Sequence, residues 1–197
     1  MINLVQLGAN AGDDHVSDFI QHYTDIIDYS LLVEPIASVA DKCRNFYKGW
    51  PNNIAVHACA VAKENGTAEL TYVEGTNLRL SSLVPGLHSD FMNPATKTMM
   101  VPTLTFDSLF AKHGLSKVDV LFVDVEAYDE TLLIDYDFNK YQTNYICWEW
   151  NHNARRNPNQ HNLLKEKLID NMFIIETRGM NKIACRIGSE NYRNTLK

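Results

Sequence analysis

Residues 2–14 read INLVQLGANAGDD. Residues 2–7 form a short, mostly apolar run that reads as a buried strand. Gly8 and Gly12 then bracket Asn10, two acids follow, and the pattern turns helical, with Val16, Phe19, Ile20, Tyr23 and Ile27 on one face over 14–27. A strand, a glycine turn and a helix in succession open an alternating α/β chain. The alternation continues. Leu31-Leu32-Val33 is a second strand, stopped by Glu34-Pro35, and Ile36, Val39, Ala40, Cys43 and Phe46 make a second one-sided helix. Proline costs nothing at a helix's first turn, where its missing N–H has no partner anyway.

Residues 54–62, IAVHACAVA, read as a third strand, and Asn65-Gly66 turns the chain into AELTYV. From Gly75 to Pro102 no period is sustained, which marks a long connection and a candidate lid. Thr105 caps a helix carrying Phe106, Leu109 and Phe110 that ends at Gly114. VDVLFVDV, 118–125, is the most apolar strand and has Asp124 at its far end. A helix over 128–138, a strand over 145–150 and a helix marked by Leu164 and Leu168 follow. MFIIETR and KIACRI, joined by Gly179-Met180-Asn181, close the chain as an antiparallel hairpin. The expected fold is a mostly parallel sheet with helices on both faces and an antiparallel hairpin at its C-terminal edge, in one domain over 1–197.

The 197 residues carry a net charge of −6, with 45% apolar and 21% charged residues. Such a surface does not suit a phosphate backbone, which needs clustered Lys and Arg; Arg155-Arg156 is too short a run to change that. Cys43, Cys59, Cys147 and Cys185 form no C-x-x-C pair and read as reduced, buried cysteines. The N-terminus lacks a basic segment followed by a long apolar one, and no stretch reaches membrane-spanning length. These features predict a cytoplasmic protein. Asn65-Gly66-Thr67 matches a glycosylation sequon but reads as a turn.

The glycine turn brings backbone close to a ligand, and the next helix offers N–H groups to it. Asp13 and Asp14 would repel a pyrophosphate there. Glu34 stands 22 residues after Gly12, at a strand's carboxyl end, where an acid accepts hydrogen bonds from both ribose hydroxyls of an adenosine. The pairing serves either a dinucleotide or S-adenosylmethionine. The spacing is G-x-x-x-G rather than the dinucleotide G-x-G-x-x-G. The bland reading of each half, an ordinary turn and a solvated acid, gives no account of the spacing between them.

The closing hairpin and six ordered segments resemble class I methyltransferases, and among them the FkbM family. The segments are VQLGANAGDD, LLVEPIASVADK, VHACAVAKENGTAELTY, LSSL, VPTLTFDSLF and VDVLFVDVEAYDETLL, whose DVEA is similar to the family's D-x-E-G. The resemblance spans nearly the whole chain. It implies a Rossmann-like seven-stranded sheet, S-adenosylmethionine as cofactor, and O-methylation of a small molecule or glycan. Gln6 stands where an acid is more usual, and Ala127 replaces the glycine after Glu126. The chain starts almost at its first strand, so substrate contacts are expected from internal loops or a partner chain; a homodimer is compatible with this.

Gathered at the strand ends, the cofactor contacts expected are Gln6, Gly8, Ala9, Asn10 and Gly12 from the first loop, and Glu34 and Pro35 from the second. Ala60, Val61, Ser82 and Asp124 complete that set. Asp124 and Glu126, two apart, are the catalytic candidates: if the strand continues they share a face and raise one another's proton affinity. Arg79, His88, Glu149 and His152 are substrate candidates, with Asn77 and Ser81 in the same unpatterned segment as Arg79. No metal is expected, because the seven histidines show no ligand spacing. Trp148 and Trp150 read as core, or as a wall for a sugar ring. The competing functions are an NAD-type oxidoreductase and a non-catalytic module of the same fold. Nucleic-acid methylation lacks its N-P-P-Y type motif.

Overall fold

The computed structural model describes residues 1–74, 78, 80–87 and 95–189. In chain order the first part contains β1 (Ile2–Leu7), α1 (His15–His22), β2 (Ile27–Val33), α2 (Ala37–Phe46) and β3 (Asn53–His57). Four strands follow: β4 (Ala60–Val61), β5 (Gly66–Val73), β6 (Ser81–Ser82) and β7 (Thr96–Leu104). Then come α3 (Phe106–Lys112), β8 (Val120–Val123), α4 (Asp129–Asp135), β9 (Tyr145–Glu149), α5 (Asn151–Arg156) and α6 (Pro158–Asp170). The chain's last described elements are β10 (Phe173–Arg178) and β11 (Asn181–Arg186).

Seven strands form one sheet in the order β10-β11-β9-β8-β1-β2-β3. β3, β2, β1, β8 and β9 run parallel, so their connections must cross over, and helices cover both faces. α1 and α2 pack Val16, Ile20, Cys43 and Tyr47 on one face. α3, α4 and α6 pack Leu109, Phe110, Leu132, Leu164 and Leu168 on the other. The C-terminal antiparallel hairpin is present as expected. β11 is inserted between β9 and β10 and is antiparallel to both, so the edge strand β10 runs with the parallel majority. At the amino ends, buried Asp119 accepts from the Asn3 amide at 3.0 Å and meets the Lys117 ammonium at 2.6 Å, which ties the two central strands together.

Several boundaries fall elsewhere than the periodicity places them. Ile27 opens β2 rather than closing α1, because it pairs with Ile2 in the parallel ladder; the ladder overrides the local helical period. The run 54–62 splits: β3 stays in the large sheet, while Ala60 and Val61 pair with Thr103 and Leu104 in a second sheet ordered β4-β7-β5-β6. β8 stops at Val123, and the helix expected over 128–138 is confined to α4. α5 was not foreseen. Nor was β7, a nine-residue strand at the end of the unpatterned segment. Pro102 hides it in the sequence. It is tolerated because β4 reaches only Thr103 and Leu104, leaving the Pro102 side of the ladder open. No helix among the described residues is long and apolar enough to cross a membrane.

A polar chain joins the two central layers near β3. The Tyr29 hydroxyl lies 2.8 Å from His113 Nδ1, and His113 Nε2 lies 2.9 Å from His57 Nδ1. Two imidazoles that share one hydrogen bond cannot both be protonated. Burial lowers the proton affinity of both rings, helped at His57 by the charges of His113, Lys112 and Arg44, and at His113 by Lys112. A histidine depressed in the folded state leaves the unfolded chain binding more protons below its ordinary pKa of about 6.5, so stability falls as pH drops through that region. Denaturant unfolding should show a lower unfolding free energy at pH 5.5 than at pH 7.5, and His113→Gln should flatten that slope.

Candidate functional site

In open α/β sheets ligands bind beyond the carboxyl ends of the strands. A cleft lies there. Its floor is the β1–α1 loop. That loop is shaped by Gly8 at φ +80°, Asn10 at φ +46° and Gly12 at φ +87°. The Gly8 and Ala9 amides both donate to the Val33 carbonyl, at 2.9 and 3.0 Å. A Cβ on Gly8 would fall 1.7 Å from the Asp124 carbonyl oxygen, so glycine is required where the ends of β1 and β8 meet.

Glu34 follows β2 and is only 4% exposed. Its carboxylate accepts from the Asn10 amide at 3.0 Å and the Ile36 amide at 2.9 Å. Burial raises its pKa to about 7, against the pull of those two hydrogen bonds. The carboxylate lines the cleft with lone pairs to spare. Above it the walls are apolar: Leu7, Val33, Ala60, Val61, Leu70 and Leu83. An acceptor for hydroxyls beside a dry slot fits a ribose carrying a flat base.

Beyond β8 the strand does not continue. Glu126 and Ala127 both have positive φ, 54° and 68°, so the condition for Asp124 and Glu126 to share a strand face is not met. The turn is fastened instead by Ser82, whose hydroxyl donates to the Glu126 carbonyl at 2.6 Å and accepts from the Val84 amide at 3.0 Å. Asp124 and Glu126 still line the same cleft, Asp124 exposed and Glu126 half-buried. Glu126 has its pKa raised to about 8, by burial first and then by Asp124 and Glu149. Glu149, on β9, is raised to about 7 by burial and by Asp124. Asp129, fully buried, is raised well above the usual range by burial and then by Asp124, although it accepts from the Val125 amide at 3.3 Å. These carboxyl groups share a proton-rich, acceptor-rich corner.

Other expected residues serve the scaffold. The Gly12 Cβ would meet the Tyr47 ring at 2.7 Å, so its lack of a side chain admits α2, not a ligand. Ala9 is fully buried in the α1/α2 core. Asp14 caps α1 by accepting from the Val16 and Ser17 amides, which closes the helix end expected to face a ligand. Gln6 lines a smaller recess with Asp124 and Asn181. Its amide donates to Asp14 at 2.7 Å, while its Oε1 is buried with no hydrogen-bond partner. Pro35, Asn10, Ala60, Val61 and Ser82 line the cleft as expected. Trp148 is core; Trp150 is half-buried. Asn77, Arg79 and His88, and the His152 side chain, lie outside the described residues. Among those described, no three His, Cys, Asp or Glu are grouped to hold a metal. Sequence reasoning missed Leu7, Val33, Leu70, Leu83 and Tyr128, because such residues look like core, and it missed Asp129 for want of any motif.

The family model described as "Methyltransferase FkbM domain" matches residues 6–175. No curated protein matches the chain in sequence. Among solved structures it is similar to an FkbM methyltransferase from Methylobacillus flagellatus, with a TM-score of 0.61 at 12% identity, over 93% of this chain and 43% of that one. The chain therefore spans less than half that relative's length, and the likeness shows the fold. A putative methyltransferase from Pseudomonas syringae overlaps 93% of this chain and 85% of its own at 10% identity, with a TM-score of 0.43, too loose to add to the fold assignment.

Gly8→Ala should destabilise the protein by about 2–4 kcal/mol, from overpacking against β8 plus a strained positive φ. Chemical denaturation reads this directly. Ser82→Ala should cost about 1–2 kcal/mol for the orphaned Glu126 carbonyl.

Proposed function

We propose that this chain, which belongs to the FkbM methyltransferase family, transfers a methyl group from S-adenosylmethionine to a hydroxyl of a small molecule or glycan. The observation that carries this reading is the buried Glu34 carboxylate, held against the glycine loop by the Asn10 amide at 3.0 Å and open to the cleft. It suits a ribose diol, and the apolar walls suit adenine. Asp13, Asp14, Asp124 and Glu126 line the outer mouth. The charge of the three aspartates favours a cationic ligand and opposes a pyrophosphate, which speaks against the NAD reading.

When bound, the cofactor supplies an electrophilic methyl group on a positively charged sulfur. The chain's own work is to orient the acceptor and take its proton. Orientation contributes as much as about 7–11 kcal/mol, and a general base about 10²–10⁴-fold in rate. A base is most effective when its pKa lies near the working pH. Glu149, raised to about 7, meets that condition, and Asp124 stands next to it at the adjoining strand end. Glu126, raised to about 8, is largely protonated at neutral pH and serves as a hydrogen-bond donor that orients the acceptor. The carboxyl-rich corner accepts hydrogen bonds from several hydroxyls at once, which suits a polyol.

The test is a titration of S-adenosylhomocysteine and NADH against the purified protein, followed by a labelled-methyl screen over glycans and small hydroxylated molecules. Response to NADH alone would overturn the cofactor assignment. Because only the ionised Glu34 accepts from both ribose hydroxyls, S-adenosylhomocysteine should bind about tenfold more tightly at pH 8 than at pH 6. Glu34→Gln should weaken binding and flatten that dependence.

A further inference from the structure

A second cluster of titratable groups lies on the face of the sheet covered by α4 and α6, toward β11. Lys182 on β11 pairs in register with Trp148 on β9. Its ammonium lies 2.9 Å from His161 Nε2, and His161 Nδ1 lies 2.6 Å from Glu130 Oε1. The Glu130 side chain is 0% exposed and also accepts from the Trp148 indole at 3.3 Å. A buried carboxylate fixes the imidazole as the Nδ1–H tautomer. Nε2 is then the acceptor for one ammonium N–H. The Trp150 ring lies under the same ammonium, 4.7 Å from ring centre to Nζ, and beside His161 with centroids 5.7 Å apart. Four elements thus hold one positive charge in a fixed place.

The arrangement differs from a structural ion pair. A cross-tie would set the ammonium directly on the carboxylate. Here Glu130 takes both the imidazole and the indole on its Oε1, and the imidazole stands between it and Lys182. Among the described residues no carboxylate lies within ion-pair distance of Nζ. The ammonium has three N–H donors; one goes to His161, and the indole face takes part of the remaining charge. Burial pushes the Lys182 pKa down; the Glu130 charge opposes that shift, and the Lys165 charge adds a smaller push in the same direction as burial.

We propose that Lys182, presented on Trp150 and anchored through His161 to Glu130, is a binding site for an anionic oxygen group, a carboxylate or a phosphate monoester. Charge-assisted hydrogen bonds to such oxygens are strong because the ammonium is held in place beforehand. The site favours anions while the acidic mouth of the cleft repels them. The proposal stands apart from the methyl-transfer reading and needs no cofactor.

The experiment titrates inorganic phosphate, glucose 6-phosphate and glucuronate into the full chain at constant ionic strength, with glucose as the neutral control. Tryptophan fluorescence and calorimetry read binding. Saturable binding of the anions but not glucose is expected, weakened about ten- to a hundredfold by Lys182→Met and retained by Lys182→Arg. Preference for the sugar-borne anions over inorganic phosphate assigns the site to a substituent on a larger ligand; equal binding assigns it to a free anion. The Trp150 indole N–H resonance, followed by NMR in the unaltered protein, gives the same answer should Lys182→Met fail to fold. No saturable binding, or binding indifferent to Lys182→Met with the Trp150 resonance unmoved, overturns the proposal.

Discussion

The Glu34 carboxylate, placed by the end of β2 and gripping the Asn10 amide of the neighbouring loop, is the contact on which the cleft depends. A loop with three positive-φ residues has many alternatives. Two constraints leave it one. The Gly8 and Ala9 amides are held by the Val33 carbonyl, and the next amide is held by a carboxylate on the same segment. The loop is thereby fixed to β2 and cannot drift from the cleft. The same carboxylate would serve a ligand, so the residue that builds the floor also recognises what lies on it. Burial keeps its pKa near 7, and the two amides keep it from rising further.

The carboxyl end of β8 is organised by a different balance. The close approach of β1 to β8 demands glycine at position 8, and immediately afterwards the chain turns through two residues of positive φ. Non-glycine residues pay for that conformation. The small second sheet supplies the compensation, because Ser82 of β6 anchors the Glu126 carbonyl. The sheet built from β4 to β7 is therefore more than an ornament on the larger one: it carries one wall of the cleft and holds the turn that presents Asp124 and Glu126.

Electrostatically the chain is divided. Asp124, Glu126, Glu149 and Asp129 crowd together so that protons are retained at neutral pH. Toward β11, the Glu130–His161–Lys182 chain ends in a positive charge. Low dielectric makes both arrangements costly unless the groups are hydrogen-bonded or used. The depressed histidines beside β3 show the same cost at smaller scale.

Most of the order of strands and helices, and the closing hairpin, could be read from residue periodicity, because parallel strands are continuous apolar runs and helices repeat every 3.6 residues. The glycine loop and the acid at position 34 were legible from their spacing, and the DVEA segment from its resemblance to the family's D-x-E-G. The sequence could not show that Gly12 yields to Tyr47 rather than to a ligand, that Asp14 is consumed as a cap, or that Ser82 serves a backbone carbonyl. Nor could it show that Ala60 and Val61 leave the large sheet for β7. Each of those depends on a partner 20 or more residues away or on a turn of the backbone, and a local pattern carries no information about distant partners. Residue types set what each position can do; only the packing of distant segments decided what each one does.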